Sequence, residues 1–175
     1  SCAAFADLDA DGDLDLVVTS YLNWSHEDEQ VWFDLQSNRT YCNPVVYDAP
    51  VHDSLYLNNG DGTFQDVTNS SGFSSVVGTG LGVVITQLTE DTMPDIFIAN
   101  DDMPDRLWVN NGGGVFTEEG TLRNIAVDDS GKAKAGMGVN VVDIDHDGDV
   151  DVYVTNIFGE SDSFFKNEGT YFQDI

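Results

Sequence analysis

At 175 residues the chain is long enough for one domain with a sizeable core. Its 41% hydrophobic and 11% aromatic content excludes a disordered acidic tail. The 32 Asp and Glu against 6 Lys and Arg, a net charge of −26, exclude a nucleic-acid or anionic-membrane binder, because both need clustered basic residues. No apolar run approaches the roughly 18 residues of a membrane span, so direct membrane insertion is not expected. The chain opens on Ser1 without a signal peptide and reads as a segment of a longer protein.

Taken in order, the chain repeats one script three times. The first copy runs from Cys2 through an apolar strand to DLDADGDLD at residues 7–15, then LVVTS, and resumes with LYLNNGDGTFQDV at residues 55–67. The second begins at Gly82 with GVVIT, continues through QLTEDTMPD at 87–95 and IFIAN, and ends in LWVNNGGGVF at 107–116. The third begins at Gly138 with GVNVV, continues through DIDHDGDVD at 143–151 and VYVTN, and ends in FFKNEGTYFQDI at 164–175. The copies cover residues 1–72, 80–120 and 136–175 approximately. The first carries an insertion over 23–53, polar and without clean periodicity, which reads as a long loop.

Each copy offers four short strands rich in β-branched and aromatic residues, such as Val83–Ile85, Ile96–Ile98, Leu107–Val109 and Val115–Thr117 in the second. Gly and Asn in NNGDG and NNGGG mark tight turns with positive φ. Four short antiparallel strands, repeated, predict an all-β fold of about three β-propeller blades over residues 1–175. Propellers need about four to eight blades to close, so either the parent protein is longer or copies associate, and the chain reads as part of a larger propeller.

Residues 7–15 and 143–151 both fit D-x-D-x-D-G-x-x-D. Carboxylates at alternate positions of a turning loop converge on one hard cation, and calcium takes six to eight such oxygens. Asp7, Asp9 and Asp11 would offer side chains, as would Asp143, Asp145 and Asp147. Gly12 and Gly148 permit the turn. Asp13 and Asp149 would offer backbone carbonyls, and Asp15 and Asp151 would close the shell. An EF-hand would need Glu at position twelve and flanking helices; Val18 and Val154 stand there, between strands. Magnesium prefers to keep its waters. Zinc or iron would want His or Cys, and His146 falls between ligand positions. In the middle loop Gln87, Thr89, Asp91, Met93 and Asp95 occupy the five positions and Thr92 replaces the glycine. That third site is expected to stay empty, with two Ca2+ ions per chain.

This combination of loop and hairpin resembles the FG-GAP/VCBS repeat of integrin-α-type propellers. The closest resemblance is to the cartilage acidic protein-like, ASPIC/UnbV-associated branch, carried by residues 41–44 (YCNP), LYLNNGDGTFQDVT, PDIFIAND at 94–101 and AGMGV at 135–139. It covers nearly the whole chain apart from part of the 23–53 insertion. It implies a calcium-stabilised propeller that is extracellular, surface-attached or periplasmic, without catalysis. By analogy it makes ligands of Asp7, Asp9, Asp11, Asp13 and Asp15, and of Asp143, Asp145, Asp147, Asp149 and Asp151.

Other features carry less. A Cys2–Cys42 bridge and two unpaired thiols both stay open. Sequons at Asn23, Asn38 and Asn69 matter only on a eukaryotic secretory route. Trp108 lies inside a strand and reads as core; Trp24 and Trp32 lie in the insertion and are the better partner contacts. His26, His52 and His146 show no nucleophile–base context, and no GxSxG, P-loop or HExxH motif occurs. The partner is read as a protein or a glycan; the alternative function is a calcium-dependent carbohydrate-binding or carbohydrate-active propeller.

Overall fold

The computed structural model describes residues 1–40 and 44–175. Tyr41, Cys42 and Asn43, and with them the Cys2–Cys42 question, lie outside the described residues. In chain order the strands are β1 (Ala3–Ala6), β2 (Asp15–Val18), β3 (Trp32–Phe33), β4 (Arg39–Thr40), β5 (Ser54–Asn58), β6 (Phe64–Asp66) and β7 (Gly80–Thr86). They continue with β8 (Asp95–Asn100), β9 (Arg106–Asn110), β10 (Phe116–Glu118), β11 (Gly136–Val142), β12 (Asp151–Asn156), β13 (Ser163–Asn167) and β14 (Phe172–Asp174). Three antiparallel four-stranded meanders result, β1-β2-β5-β6, β7-β8-β9-β10 and β11-β12-β13-β14. This is the all-β, blade-like architecture that the repeat predicts. Among the described residues no helix is long and apolar enough to cross a membrane.

The described part of the 23–53 insertion holds a hairpin where the sequence reads as a plain loop. Trp32 pairs with Thr40 and Phe33 with Arg39 in a small separate hairpin. Its turn is organised by Asp34, whose Oδ1 accepts the N–H groups of Gln36 at 2.9 Å and Asn38 at 2.8 Å. Ser37 takes a left-handed φ of 64°. Sequence periodicity misses it because two-residue strands are too short to show alternation.

Strand alternation divides the core into two layers. Ile96, Ile98 and Trp108 of the second blade face the first blade, packing with Leu8, Val17, Leu55, Phe73 and Phe116. Phe97, Ala99, Leu107 and Val109 face the third, packing with Leu88, Ile125, Val152, Val154, Phe165 and Phe172. Strand β8 is accordingly buried along its whole length, whereas β2 alternates between buried and half-buried. Trp108 is 1% exposed, as its strand position implies. Its ring stacks on Phe73 at 4.3 Å, and Phe116 meets Phe73 edge-on at 5.6 Å.

The blades also share backbone bonds. Phe116 N donates to Ser71 O, and Phe172 N to Arg123 O, each at 2.8 Å. These fix the fourth strand of one blade against the exit chain of the blade before it.

At the opposite end of each blade an Asp precedes the third strand. Asp53 accepts from Ser20 N, Asp105 from Asn100 N and Asp162 from Asn156 N. Burial pushes the Asp105 carboxyl up to about 8 and the Asp53 carboxyl up to about 6. An unfolded Asp ionises at about 4. The contribution of Asp105 to stability is therefore full below about pH 4 and is lost as pH rises to about 8. Asp105→Asn keeps an acceptor for Asn100 N, so in chelator it should flatten the fall in melting temperature across that window. An unchanged slope would contradict a buried, proton-bearing Asp105. Trp108→Ala should cost about 3–5 kcal/mol in urea denaturation; a loss below about 1 kcal/mol would contradict its place at the blade joint.

Candidate metal centres

In each blade one loop joins the first strand to the second: residues 7–15, 87–95 and 143–151. The ninth residue organises all three. Asp15, Asp95 and Asp151 are 0%, 0% and 1% exposed. Asp15 Oδ2 accepts Leu8 N at 2.8 Å and its Oδ1 accepts Asn58 N at 2.9 Å. Asp95 takes Leu88 N at 3.1 Å and Asn110 N at 2.9 Å; Asp151 takes Ile144 N at 2.9 Å and Asn167 N at 2.8 Å. One carboxylate thus ties the loop to the end of the blade's third strand. The sequence reading gave Asp15 and Asp151 a ligand's role; the scaffold role is added to it, and the middle loop keeps Asp95 for the scaffold role.

The Asn whose backbone N–H donates this bond has a role that the sequence pattern alone does not reveal. Asn58, Asn110 and Asn167 each accept from the turn glycine two residues on, Gly60, Gly112 and Gly169. Their side-chain amides donate backwards. Asn110 Nδ2 reaches Leu8 O at 2.9 Å and Asn167 Nδ2 reaches Leu88 O at 3.2 Å, each in the preceding blade's loop. Its signal was the recurrent N in LYLNNG, LWVNNG and FFKNEG.

In the two Asp-rich loops the backbone turns through left-handed φ at the fourth and sixth residues. These are Ala10 (66°) and Gly12 (96°), then His146 (64°) and Gly148 (101°). Three carboxylates converge in each. Oxygens of Asp7, Asp9 and Asp15, and of Asp143, Asp145 and Asp151, all lie within 4.8 Å of one another in their group. Asp11 and Asp147 lie outside these groups; their Oδ1 atoms accept the N–H of Asp13 at 2.9 Å and Asp149 at 3.0 Å. The Asp13 carboxylate lies against Gly60 of the neighbouring turn, where a Cβ would come within 2.7 Å of Oδ2. His146 is exposed and stands outside the group.

The two groups share a telling defect. Asp7 Oδ2 accepts Gly12 N and Asp143 Oδ2 accepts Gly148 N, but Asp7 Oδ1 and Asp143 Oδ1 are buried without a hydrogen-bond partner. A buried carboxylate oxygen without a donor is costly. A cation among the three carboxylates would satisfy it, and an all-oxygen set suits a hard ion. Electrostatics differ between the loops. Burial, then repulsion from Asp15, Asp11 and Asp7, raises the Asp9 carboxyl above its ordinary value. The Lys166 ammonium lowers that of Asp145.

The middle loop solves the same problem with neutral donors. Thr89 Oγ1 donates to Asp95 Oδ2 at 2.9 Å. The Gln87 amide donates to Thr89 O at 3.5 Å and to Asp91 O. Trp24 and Trp32, named as partner contacts, are 47% and 44% exposed.

The chain matches the model of the FG-GAP-like repeat over residues 87–154, from the start of the middle loop into β12 and less than half of the chain. No curated protein matches. Among solved structures, one described as showing specific recognition of non-reducing terminal N-acetylglucosamine by an Agrocybe aegerita lectin is similar, at 20% identity and a TM-score of 0.39. The match covers 98% of this chain and 50% of that one, so the chain spans about half its length.

The scaffold role of the ninth residue has a direct consequence. Asp95→Ala leaves two buried N–H groups unpaired, at about 1–3 kcal/mol each. The loss should be the same with calcium and with chelator. A loss that calcium reverses would contradict the scaffold role.

Proposed function

We propose that this chain is a calcium-stabilised binding module, with one cation held by Asp7, Asp9 and Asp15 and a second by Asp143, Asp145 and Asp151. The observation that carries the reading is the orphaned pair of buried oxygens, Asp7 Oδ1 and Asp143 Oδ1, at one position of two loops. Backbone carbonyls at Asp13 and Asp149 and water complete a shell of six to eight oxygens. Asp11 and Asp147 shape the turn, and join the shell only if they exchange their N–H partners for the ion. The middle loop keeps its hairpin with the Gln87 and Thr89 donors and takes no cation.

The ion's role is structural. It neutralises carboxylates that would otherwise repel, so binding and loop order are coupled. Extracellular modules hold calcium at about 0.1–1 mM. Such sites fill outside the cell or in the periplasm, and that is the compartment proposed. The partner, a protein or a glycan, meets exposed side chains of the 23–53 segment, Trp24 and Trp32 among them. No catalytic step is assigned.

The test is a thermal melt in chelator, calcium and magnesium. At ten times Kd each site adds about 1.4 kcal/mol, so two sites raise Tm by about 6–11 °C for a chain of this size. Asp7→Ala and Asp143→Ala should each remove part of the rise, and magnesium should reproduce little of it. A folded chain whose Tm ignores calcium would contradict the proposal.

A further inference from the structure

The two Asp-rich loops share one pattern but not one surrounding. Lys166 Nζ lies 2.9 Å from Asp145 Oδ2 and 2.7 Å from Glu168 Oε1. Lys166 stands on β13 opposite Gln173, one residue before Asn167. The same place on β5, opposite Gln65 and before Asn58, is filled by Leu57, which packs against the core of the first joint. Among the described residues, none of the ion pairs involves Asp7, Asp9, Asp11, Asp13 or Asp15. One loop therefore holds a counterion of its own and the other does not.

We propose that Lys166 is a built-in competitor for the cation at the third loop, so that the two loops bind calcium with unequal affinity, the first loop tighter. This rests on the calcium reading above. An ion entering among Asp143, Asp145 and Asp151 meets an ammonium already on one of its ligands. Both cations would then share one carboxylate at a few ångströms, where like charges repel. Lys166 must release Asp145 and keep only Glu168, a carboxylate outside the metal group. Glu168 is thus the place to which the lysine withdraws. In the first loop nothing has to leave. Conversely, the third loop loses less order in chelator, because Lys166 already offsets part of its charge.

Calorimetric titration of the chelator-treated chain with calcium chloride tests this. Two classes of site are expected, differing on the order of threefold to tenfold, the range of a partly exposed ion pair lost plus added repulsion. Asp143→Ala should delete the weaker class. Lys166→Met, or Lys166→Gln if the first variant folds poorly, should tighten that class toward the other and leave the tighter class unchanged. Glu168→Gln should act in the opposite sense, weakening the same class, because the lysine then has only Asp145 to hold; a purely structural Lys166 would not give opposite signs. Two equal classes in the unmodified chain, or affinities unmoved by the lysine variants, would overturn the inference while leaving the metal reading intact. No calcium heat at all would overturn both.

Discussion

The structure depends on one buried carboxylate in each blade. Asp15, Asp95 and Asp151 accept backbone N–H groups from two places far apart in sequence, the loop after the first strand and the end of the third. Four of those six N–H groups, those of Leu8, Leu88, Asn110 and Asn167, would otherwise be buried without a partner. The carboxylate therefore fixes loop against hairpin. The hairpin's first Asn is thereby placed so that its amide reaches the preceding blade's loop. A local polar contact thus sets blade-to-blade register, and the apolar joint around Trp108 and Phe73 fills in behind it.

The proposed cation binding is a second layer on that scaffold. All three loops have the ninth Asp, and they differ in what meets the remaining oxygens. In the first, Asp7 Oδ1 is left without a donor, and an ion from solution is proposed to meet it. The third sets Lys166 beside one of its carboxylates. The middle one answers with a hydroxyl and an amide from within the loop. The same fold can hence lose a metal site without losing a blade, because the charge and the donors change together.

Much of this was legible in the sequence. Five alternating Asp with a Gly at the sixth place, twice, announced the loops, and β-branched runs between Gly and Asn announced the strands. Trp108 was readable as core because it sits inside such a run. What was not legible depends on distance along the chain. Lys166 lies far in sequence from Asp145 and meets it only because β13 runs beside the loop. The ninth Asp read only as a ligand, because its second role, accepting backbone N–H groups, cannot be seen in a pattern of side chains. Gln87 and Thr89 registered as lost charge, and their role as donors needed coordinates. The Trp32–Arg39 region read as loop because its strands are only two residues long.

The most direct measurement is a crystal grown in calcium and examined for anomalous scattering. The account predicts two peaks, each bonded to Asp7 Oδ1 or Asp143 Oδ1, and none beside Gln87, with Asp15, Asp95 and Asp151 keeping both backbone bonds. A peak in the middle loop, or none in the other two, would contradict it.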